Sequence, residues 1–241
     1  MLKPVQKKSL SDSVFEQLRA EIISGRMEPG STLPGERVLC EMLEVNRGAV
    51  REALKRLEQA RLVSVQHGGS TTVLNFRETA GTDLLSTLLV TPEGELDTQV
   101  ARSVMEMRSA LASDIARLCA KRGREVAGPL AEVVEQMGAN RKDLVALQAL
   151  SLSFWGLLVE ASGNVAYQLA FNSLRDSYAR FSHLLTRVLA DELTDLKNYK
   201  AICEAIAAGE AEDAEFYSRD LMEIGERQIV RVLDTLDRVK E

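Results

Sequence analysis

The chain has 241 residues, of which 45% are hydrophobic, 27% charged and 5% aromatic. A chain of this length and apolar content builds one or two hydrophobic cores, so an intrinsically disordered protein is excluded. The formal net charge is −6, but residues 1–80 carry 12 Lys and Arg against 10 Asp and Glu, whereas the remainder carries 18 against 26. This asymmetry indicates that the front of the chain is better suited than the rear to meeting a polyanion.

The three cysteines, Cys40, Cys119 and Cys203, lie far apart and form no CxxC pair. Their spacing disfavours a zinc clip or a redox motif and is typical of buried free thiols in a reducing compartment. Residues 1–10 carry charge without the apolar core of a signal peptide, and the longest apolar runs are shorter than a membrane span. We therefore expect a cytoplasmic protein with no membrane partner.

The first 76 residues predict three helices followed by a hairpin. Apolar residues recur at helical spacing in three segments, and Asn46 is placed to cap the third. Two β-prone runs then flank a glycine-containing loop, which is typical of a two-stranded wing. The predicted helices cover residues 9–25, 35–43 and the stretch after Asn46, and the predicted strands cover 62–65 and 71–74.

The rest of the chain is helical by pattern, after a polar connector at residues 75–82. The predicted helical segments are 82–90, 96–121, 125–139, 142–162, 164–189, 192–208 and 210–240. We therefore predict a mainly α protein with three parts: a winged helix-turn-helix at 1–74, a linker with a short helix at 75–90, and an all-helical bundle at 91–241.

The second helix of a helix-turn-helix motif places its N-terminal end in the major groove of DNA. Arg47 and Arg51 are four residues apart at that end and share one face. A guanidinium matches the edge of guanine or a phosphate, and the small residues Gly48 and Ala49 between the two arginines allow a close approach. Arg37, at the start of the preceding helix, is placed to reach the same groove. For any single arginine the alternative is a solvated surface residue.

Residues 11–74 resemble the winged helix-turn-helix of the GntR family of bacterial transcription regulators. The resemblance lies in Leu33-Pro34-Gly35-Glu36-Arg37, in Val45-Asn46-Arg47-Gly48-Ala49-Val50-Arg51-Glu52-Ala53-Leu54, and in Gln66-His67-Gly68-Gly69. It implies that the arginines contact DNA and that the wing tip touches the minor groove. Hydroxyl residues are common in related regulators at the positions of Gly48 and Ala49, so phosphate contacts there are lost or made by the backbone. The expected DNA-contacting residues are Arg37, Asn46, Arg47, Gly48, Ala49, Arg51, His67 and Gly68.

The helical remainder resembles the ligand domain of the FadR subfamily of that family. Many members of the subfamily hold a divalent metal with one Asp and three His, followed by an Ala-Ser-Gly-Asn turn that this chain carries at residues 161–164. The ligand positions themselves fall on Ser151, Trp155, Tyr199 and Leu221. His183 is the one histidine outside the wing. The resemblance therefore implies an effector domain with neither a metal nor a cofactor.

Aromatic residues on the central helical segments either pack as core or line an apolar cavity. The acyl-CoA-sensing member of the subfamily also lacks the metal ligands and has aromatics at the positions of Trp155 and Tyr199, although its CoA contacts do not reappear at residues 221–229. Arg108 lies among apolar residues and must meet an anion, which is either a helix carboxylate such as Glu106 or a ligand phosphate or carboxylate. The expected effector-binding residues are Arg108, Ser151, Trp155, Tyr178 and Tyr199.

These observations together predict a regulator of fatty-acid metabolism that binds double-stranded operator DNA and is released by a long-chain acyl-CoA in the bundle. One recognition helix reads few bases, so we expect a homodimer on a palindrome. A regulator of the same family that responds to another small organic acid is the alternative. An enzyme built on the bundle is disfavoured, because the sequence shows no nucleophile–base pair, carboxylate-rich metal cluster or phosphate loop.

Overall fold

The computed structural model describes residues 9–66, 69–91 and 94–240, and the chain divides into two compact units. The N-terminal unit comprises the residues up to Leu84 together with 90–95. The C-terminal unit comprises Leu85–Leu89 and the chain from Leu96 onward. The polypeptide therefore changes unit three times between Leu84 and Leu96.

The N-terminal unit contains the predicted order of helix, short helix, turn, helix and wing. Ser9 begins the first helix through a capping box with Asp12, and the Asn46 side chain begins the third by accepting the N–H of Ala49 at 3.0 Å. Its elements are α1 (Leu10–Ile23), α2 (Glu36–Leu43), α3 (Arg47–Gln59), β1 (Val63–Val65), β2 (Thr71–Val73), α4 (Phe76–Thr79) and a 3₁₀ turn at Thr82–Leu84.

The core of the N-terminal unit lies where α1 and α2 pack against the inner face of α3. Val50 and Leu57 on α3 are fully buried, as the helical spacing predicted. Arg56 on the same helix bonds Asp12 of α1 at 2.5 Å and lies over the Phe15 ring at 4.2 Å. α3 is thus held from one side, and its opposite side faces outward.

The loop before α2 is bonded to the wing, which the sequence did not predict. The strands β1 and β2 are antiparallel, and residues 30–33 lie along the other edge of β2. The Leu33 N–H donates to the Thr71 carbonyl at 2.8 Å, and the Gly30 N–H donates to the Val73 carbonyl at 2.8 Å. These bonds join segments about forty residues apart, so local turn signals alone could not reveal them. They fix the start of α2 relative to the wing.

The C-terminal unit is all-helical in its described residues, as predicted. Its two longest helices, α6 and α12, pack against each other, and α11 packs against α12 and α7. Its elements are α5 (Leu85–Leu88), α6 (Thr98–Arg122), a 3₁₀ turn at Arg124–Val126, α7 (Ala127–Ala139), α8 (Leu144–Ala161), α9 (Val165–Val188), α10 (Ala190–Thr194), α11 (Leu196–Ala208) and α12 (Ala211–Lys240).

Three local predictions were wrong, and each has a physical reason. The segment predicted as one helix at 192–208 divides at Asp195, whose side chain accepts the N–H of Asn198 at 3.4 Å and begins α11. The predicted helix at 82–90 is reduced to a 3₁₀ turn and α5, since the chain crosses between units there. The polar connector contains α4, which Asn75 begins by accepting the Arg77 N–H at 3.3 Å.

α8 is long and apolar enough to cross a membrane by length and composition, a longer apolar segment than the sequence analysis expected. Its residues Leu147, Phe154 and Leu158 are fully buried among the other helices. A helix that is apolar all round is ordinary at the centre of a bundle. We therefore describe α8 as a core helix.

Replacing Leu130 with Ala should destabilise the C-terminal unit by about 2–5 kcal/mol, because this α7 side chain is 0% exposed and its loss leaves a cavity. Trp155 is the single tryptophan of the chain and lies in this unit, so its fluorescence during urea unfolding reports on the unit selectively. Leu169→Ala is the matched control, since Leu169 is 62% exposed. Equal losses in the two variants would contradict the assigned core.

Candidate DNA interface and effector cavity

The outward face of α3 includes Arg47, Gly48 and Arg51, and each of these three residues is exposed. The Arg51 Nε donates to a Glu36 carboxylate oxygen at 2.8 Å, although the Arg51 side chain stays 68% exposed. An ion pair this exposed contributes little to stability. A DNA phosphate or guanine edge can therefore take the place of Glu36 as the partner of this guanidinium.

The remaining helix residues of the expected DNA-contacting set occupy different settings. Arg37 is exposed on α2 and pairs loosely with Glu41 at 3.4 Å. Asn46 uses its side chain to cap α3. Ala49 differs from these residues in burial, because its side chain is 8% exposed and faces the core, while its N–H is bonded to the Asn46 side chain. Ala49 therefore serves packing and capping.

A groove of about 590 Å³ runs between α3 and the wing. Arg51 and Lys55 line it from α3, and Gly69 and Ser70 line it from the wing. Glu58 also lines the groove and accepts the N–H of Val65 at 3.2 Å, which ties α3 to β1. Two further residues of the expected set, His67 and Gly68, lie outside the described residues.

Lys55 was missed by the sequence analysis. It is exposed and follows Arg51 by four residues, as Arg51 follows Arg47. Residues at this spacing lie on one helix face, so the spacing itself would have identified a third cation. The outward face of α3 thus carries a row of three positive charges.

The C-terminal unit contains a cavity of about 60 Å³, here called the Arg108 cavity. It is lined by Arg108, Ser151, Trp155 and Tyr178, four of the five residues expected to bind an effector. Tyr199 does not line the cavity, but its hydroxyl shares a 2.8 Å hydrogen bond with the hydroxyl of Ser151. Most of the remaining lining is aliphatic. The helices α6, α8 and α9 therefore bring these distant residues to one place.

Arg108 on α6 pairs with Glu192 on α10 inside the cavity, where the side chains are 11% and 1% exposed. The sequence alone left the identity of the anion open. In the structure it is a helix carboxylate, that of Glu192 and not that of Glu106. Burial opposes the guanidinium charge, but the neighbouring Glu192 carboxylate outweighs it and raises the pKa of Arg108. Burial also raises the pKa of the Glu192 carboxyl, against the opposing effect of Arg108.

Gly225 on α12 makes the room that Glu192 occupies. A Cβ at Gly225 would collide with the Glu192 carboxylate and lie 2.8 Å from Leu189 Cδ2. A larger residue would therefore displace the carboxylate. Residues 221–229 were noted in the sequence only for departing from the acyl-CoA-sensing relative, and the structure gives this stretch a specific packing role.

Four polar atoms of residues lining the Arg108 cavity have no hydrogen-bond partner within the described chain. They are Arg108 Nη1, Trp155 Nε1, the Tyr178 hydroxyl and Glu192 Oε2. Glu192 Oε2 lies against Gly225, and the Arg108 guanidinium lies close to the Tyr178 hydroxyl. An unsatisfied buried polar group costs about 1–3 kcal/mol, so the donors at this cavity favour a polar partner there. Burial raises the pKa of Tyr178 to about 12, so at neutral pH its hydroxyl is an uncharged donor.

A second cavity of about 60 Å³ lies on the other side of Tyr178, here called the apolar cavity. Its lining is apolar apart from the hydroxyl groups of Ser177 and Tyr178. It includes Phe181, where α9 departs from helical geometry with φ −115° and ψ 17°. The sequence left open whether aromatic residues of the central helices pack as core or line an apolar cavity. The rest of this lining comes from α6, α9 and α12 together with Leu89 and Leu96, which are distant along the chain. Tyr178 belongs to both linings and separates the two cavities.

The residues of the bundle do not fit a divalent metal. The positions that hold ligands in metal-containing relatives carry two hydroxyls, an indole and an alkyl group, in Ser151, Tyr199, Trp155 and Leu221. None of these supplies the carboxylate or imidazole that such ions prefer. Within residues 9–66, 69–91 and 94–240, no group of three or more His, Cys, Asp and Glu is arranged to hold a metal.

Comparison with known proteins assigns both units. Residues 10–73 match the family described as bacterial regulatory proteins, gntR family, and residues 103–223 match the FCD domain. The chain is 36% identical to the HTH-type transcriptional regulator Mce2R of Mycobacterium tuberculosis, over 96% of each chain. It is 30% identical to the fatty acid metabolism regulator protein of Yersinia pestis, over 79% of this chain and 83% of that one.

Two solved structures share the fold. One is Lar, described as controlling expression of the Listeria monocytogenes agr system, with a TM-score of 0.53 and 15% identity over 94% of this chain and 99% of that one. The other is a GntR family member from Pseudomonas syringae pv. tomato, with a TM-score of 0.50 and 19% identity over 96% and 89%. The chain therefore belongs to the GntR family, and it is a transcription regulator with an N-terminal DNA-binding helix-turn-helix and a C-terminal FCD effector domain.

Proposed function

We propose that this regulator binds a palindromic operator as a cytoplasmic homodimer and that a long-chain acyl-CoA in its FCD domain releases it, which controls genes of fatty-acid metabolism. The observation that carries the effector assignment is the cluster of unpartnered polar atoms beside a cavity with an apolar lining. Similarity to the fatty acid metabolism regulator of Yersinia pestis supports the ligand class. Arg37, Arg47, Arg51 and the wing tip at His67 and Gly68 are the proposed DNA contacts.

The row of cations on α3 supports major-groove binding. Arg47, Arg51 and Lys55 lie on one exposed face, and the groove beside the wing gives space for a DNA backbone. Gly48 is exposed and has no side chain, so DNA can approach the backbone closely at the N-terminal end of this face. Because one 13-residue helix reads only a few base pairs, a second copy related by two-fold symmetry would supply the remaining specificity.

The two cavities support an amphipathic effector. The polar end of an acyl group has hydrogen-bonding partners at Arg108 and Tyr178, and the hydrocarbon has an apolar lining beyond Tyr178. Each buried CH₂ contributes about 0.8 kcal/mol, so chain length would dominate the affinity.

The two cavities, of about 60 Å³ each, are small compared with typical ligand pockets of about 300–1,000 Å³. A long chain would therefore bind a more open arrangement of α6, α9 and α12. Suppose that the open arrangement binds the ligand a hundredfold more tightly than the arrangement in the structure does, and that it misplaces the two α3 helices on the operator. Ligand binding would then disfavour operator binding by about 2.7 kcal/mol.

A small organic acid is the second candidate effector, and the 60 Å³ volume of the Arg108 cavity favours it. In that case the acid would bind Arg108 without a metal, and its carboxylate would have to replace Glu192 as the partner of the guanidinium. Native mass spectrometry of protein purified without added ligand separates the two candidates, because an acyl-CoA adduct is far heavier than a small acid.

The double variant Arg47→Ala/Arg51→Ala should lose specific operator binding while it keeps its fold. Each guanidinium contributes about 1–3 kcal/mol through base or phosphate contacts, so affinity should fall by roughly 30-fold or more. Electrophoretic mobility shifts on operator DNA recovered by binding-site selection provide the measurement, and circular dichroism monitors the fold.

The matched control is Arg26→Ala/Arg61→Ala, which removes the same charge from the same unit. Arg26 pairs with Glu21 at 2.7 Å, and Arg61 donates to the Thr79 carbonyl at 3.4 Å. This control should bind the operator nearly as well as the unchanged chain. Equal losses of operator affinity in the two double variants would show that the loss arises from net charge alone, and would contradict the assigned interface.

Palmitoyl-CoA should raise the melting temperature of the protein and lower its operator affinity, since the ligand binds the folded state and favours the arrangement that does not bind DNA. Thermal unfolding and fluorescence anisotropy with labelled operator measure the two effects. Free CoA is the control, because it lacks the hydrocarbon chain. If palmitoyl-CoA changes neither quantity, acyl-CoA is rejected as the effector.

The homodimer predicts a mass near twice the chain mass of 26.6 kDa in sedimentation equilibrium at micromolar concentration. A two-fold symmetric footprint on the selected operator would accompany it. A monomer that binds a single half-site with full affinity would contradict this part of the proposal.

A further inference from the structure

The ion pair in the Arg108 cavity sets the charge of the group that an effector can place there. We propose that Glu192 is a specificity-determining residue, which neutralises Arg108 so that the cavity accepts an uncharged carbonyl group and rejects a carboxylate. The inference rests on the proposed effector role of the cavity, and it distinguishes an ester, thioester or amide head from a free acid.

The first step is charge balance. Arg108 would be the obvious receptor for a carboxylate, but its charge is already met by Glu192 at the buried end of the cavity. A ligand carboxylate brought to Arg108 would approach a second carboxylate in a site with little water, where like charges repel strongly. The pair therefore presents polarity without net charge.

The second step is hydrogen bonding. Arg108 Nη1 and the Tyr178 hydroxyl are donors without a described partner, and Glu192 Oε2 is an acceptor without one. A carbonyl oxygen can accept from both donors, whereas Glu192 Oε2 lies against Gly225 of α12. A carbonyl oxygen thus satisfies the same two donors as a carboxylate oxygen, without bringing a second negative charge to Glu192.

The third step is the accommodation of Glu192 by the fold. Gly225 leaves the space that the carboxylate fills, and any side chain there would collide with it. The guanidinium of Arg175, by contrast, lines the same cavity from an exposed position. Anionic parts of a ligand therefore have a cation at the outer end, while the inner end is neutral.

Octanamide and octanoate test the proposal, because they share a hydrocarbon chain and differ in head-group charge at pH 7.5. Calorimetric titration of the full-length protein should give at least tenfold tighter binding of octanamide. Glu192→Gln keeps the shape of the side chain and leaves Arg108 uncompensated, so octanoate should bind at least tenfold more tightly than it binds the unchanged chain, and the order should reverse.

Glu226→Gln is the matched control, since it removes one negative charge from α12 at a residue that bonds Ser109 at 3.0 Å and does not line the cavity. It should keep the order of the unchanged protein. The double variant Arg108→Gln/Glu192→Gln restores neutrality and should again prefer octanamide. If circular dichroism shows that Glu192→Gln does not fold, the relative affinities of the unchanged protein and of the double variant for octanamide and octanoate still test the proposal.

Equal affinities for the two probes in the unchanged protein, or no detectable binding of either, overturn the proposal. So does a folded Glu192→Gln variant whose affinity for octanoate is unaltered. Operator release by palmitoyl-CoA is measured separately. If release fails while octanamide is preferred, the proposed function fails and the charge selection stands. If release occurs while octanoate binds as tightly as octanamide, the proposed function stands and the charge selection fails.

Discussion

The buried pair of Arg108 and Glu192 is the constraint around which the C-terminal unit is arranged. Removing one partner of such a pair typically costs about 3–5 kcal/mol, because the other charge remains without compensation. The pair therefore holds α6 against α10, and Gly225 brings α12 close behind it. Well-packed apolar side chains could fill this volume at similar or greater stability, so the charged pair is consistent with the proposed selection of a ligand group.

The N-terminal unit uses the same residue type in two opposite ways. Arg56 is half-buried on the inner side of α3, bonded to Asp12 and packed over Phe15, where it links two helices. Arg47 and Arg51 lie on the exposed side of the same helix. The fold thus separates arginines that stabilise the helix pair from arginines that remain available to another molecule.

The sequence predicted the helix-turn-helix, the wing and the helical bundle because these depend on local spacing, caps and turn residues. It also selected Arg108, Ser151, Trp155 and Tyr178, through their match to a related domain and the cost of burying a lone charge. It could not select Glu192 or Gly225. Their roles arise only where α10 and α12 meet, and nothing in the spacing of either helix marks a contact between residues about thirty positions apart.

The bonds between residues 30–33 and β2 have a mechanical consequence for reading DNA. Leu33 is hydrogen-bonded to the wing and stands four positions before Arg37. A wing tilted by a narrow or wide minor groove would pull on the entry to α2 through this short stretch. Groove width at the flank of a binding site would then influence how guanidinium groups meet the bases at its centre, so DNA shape and base sequence would be sensed jointly.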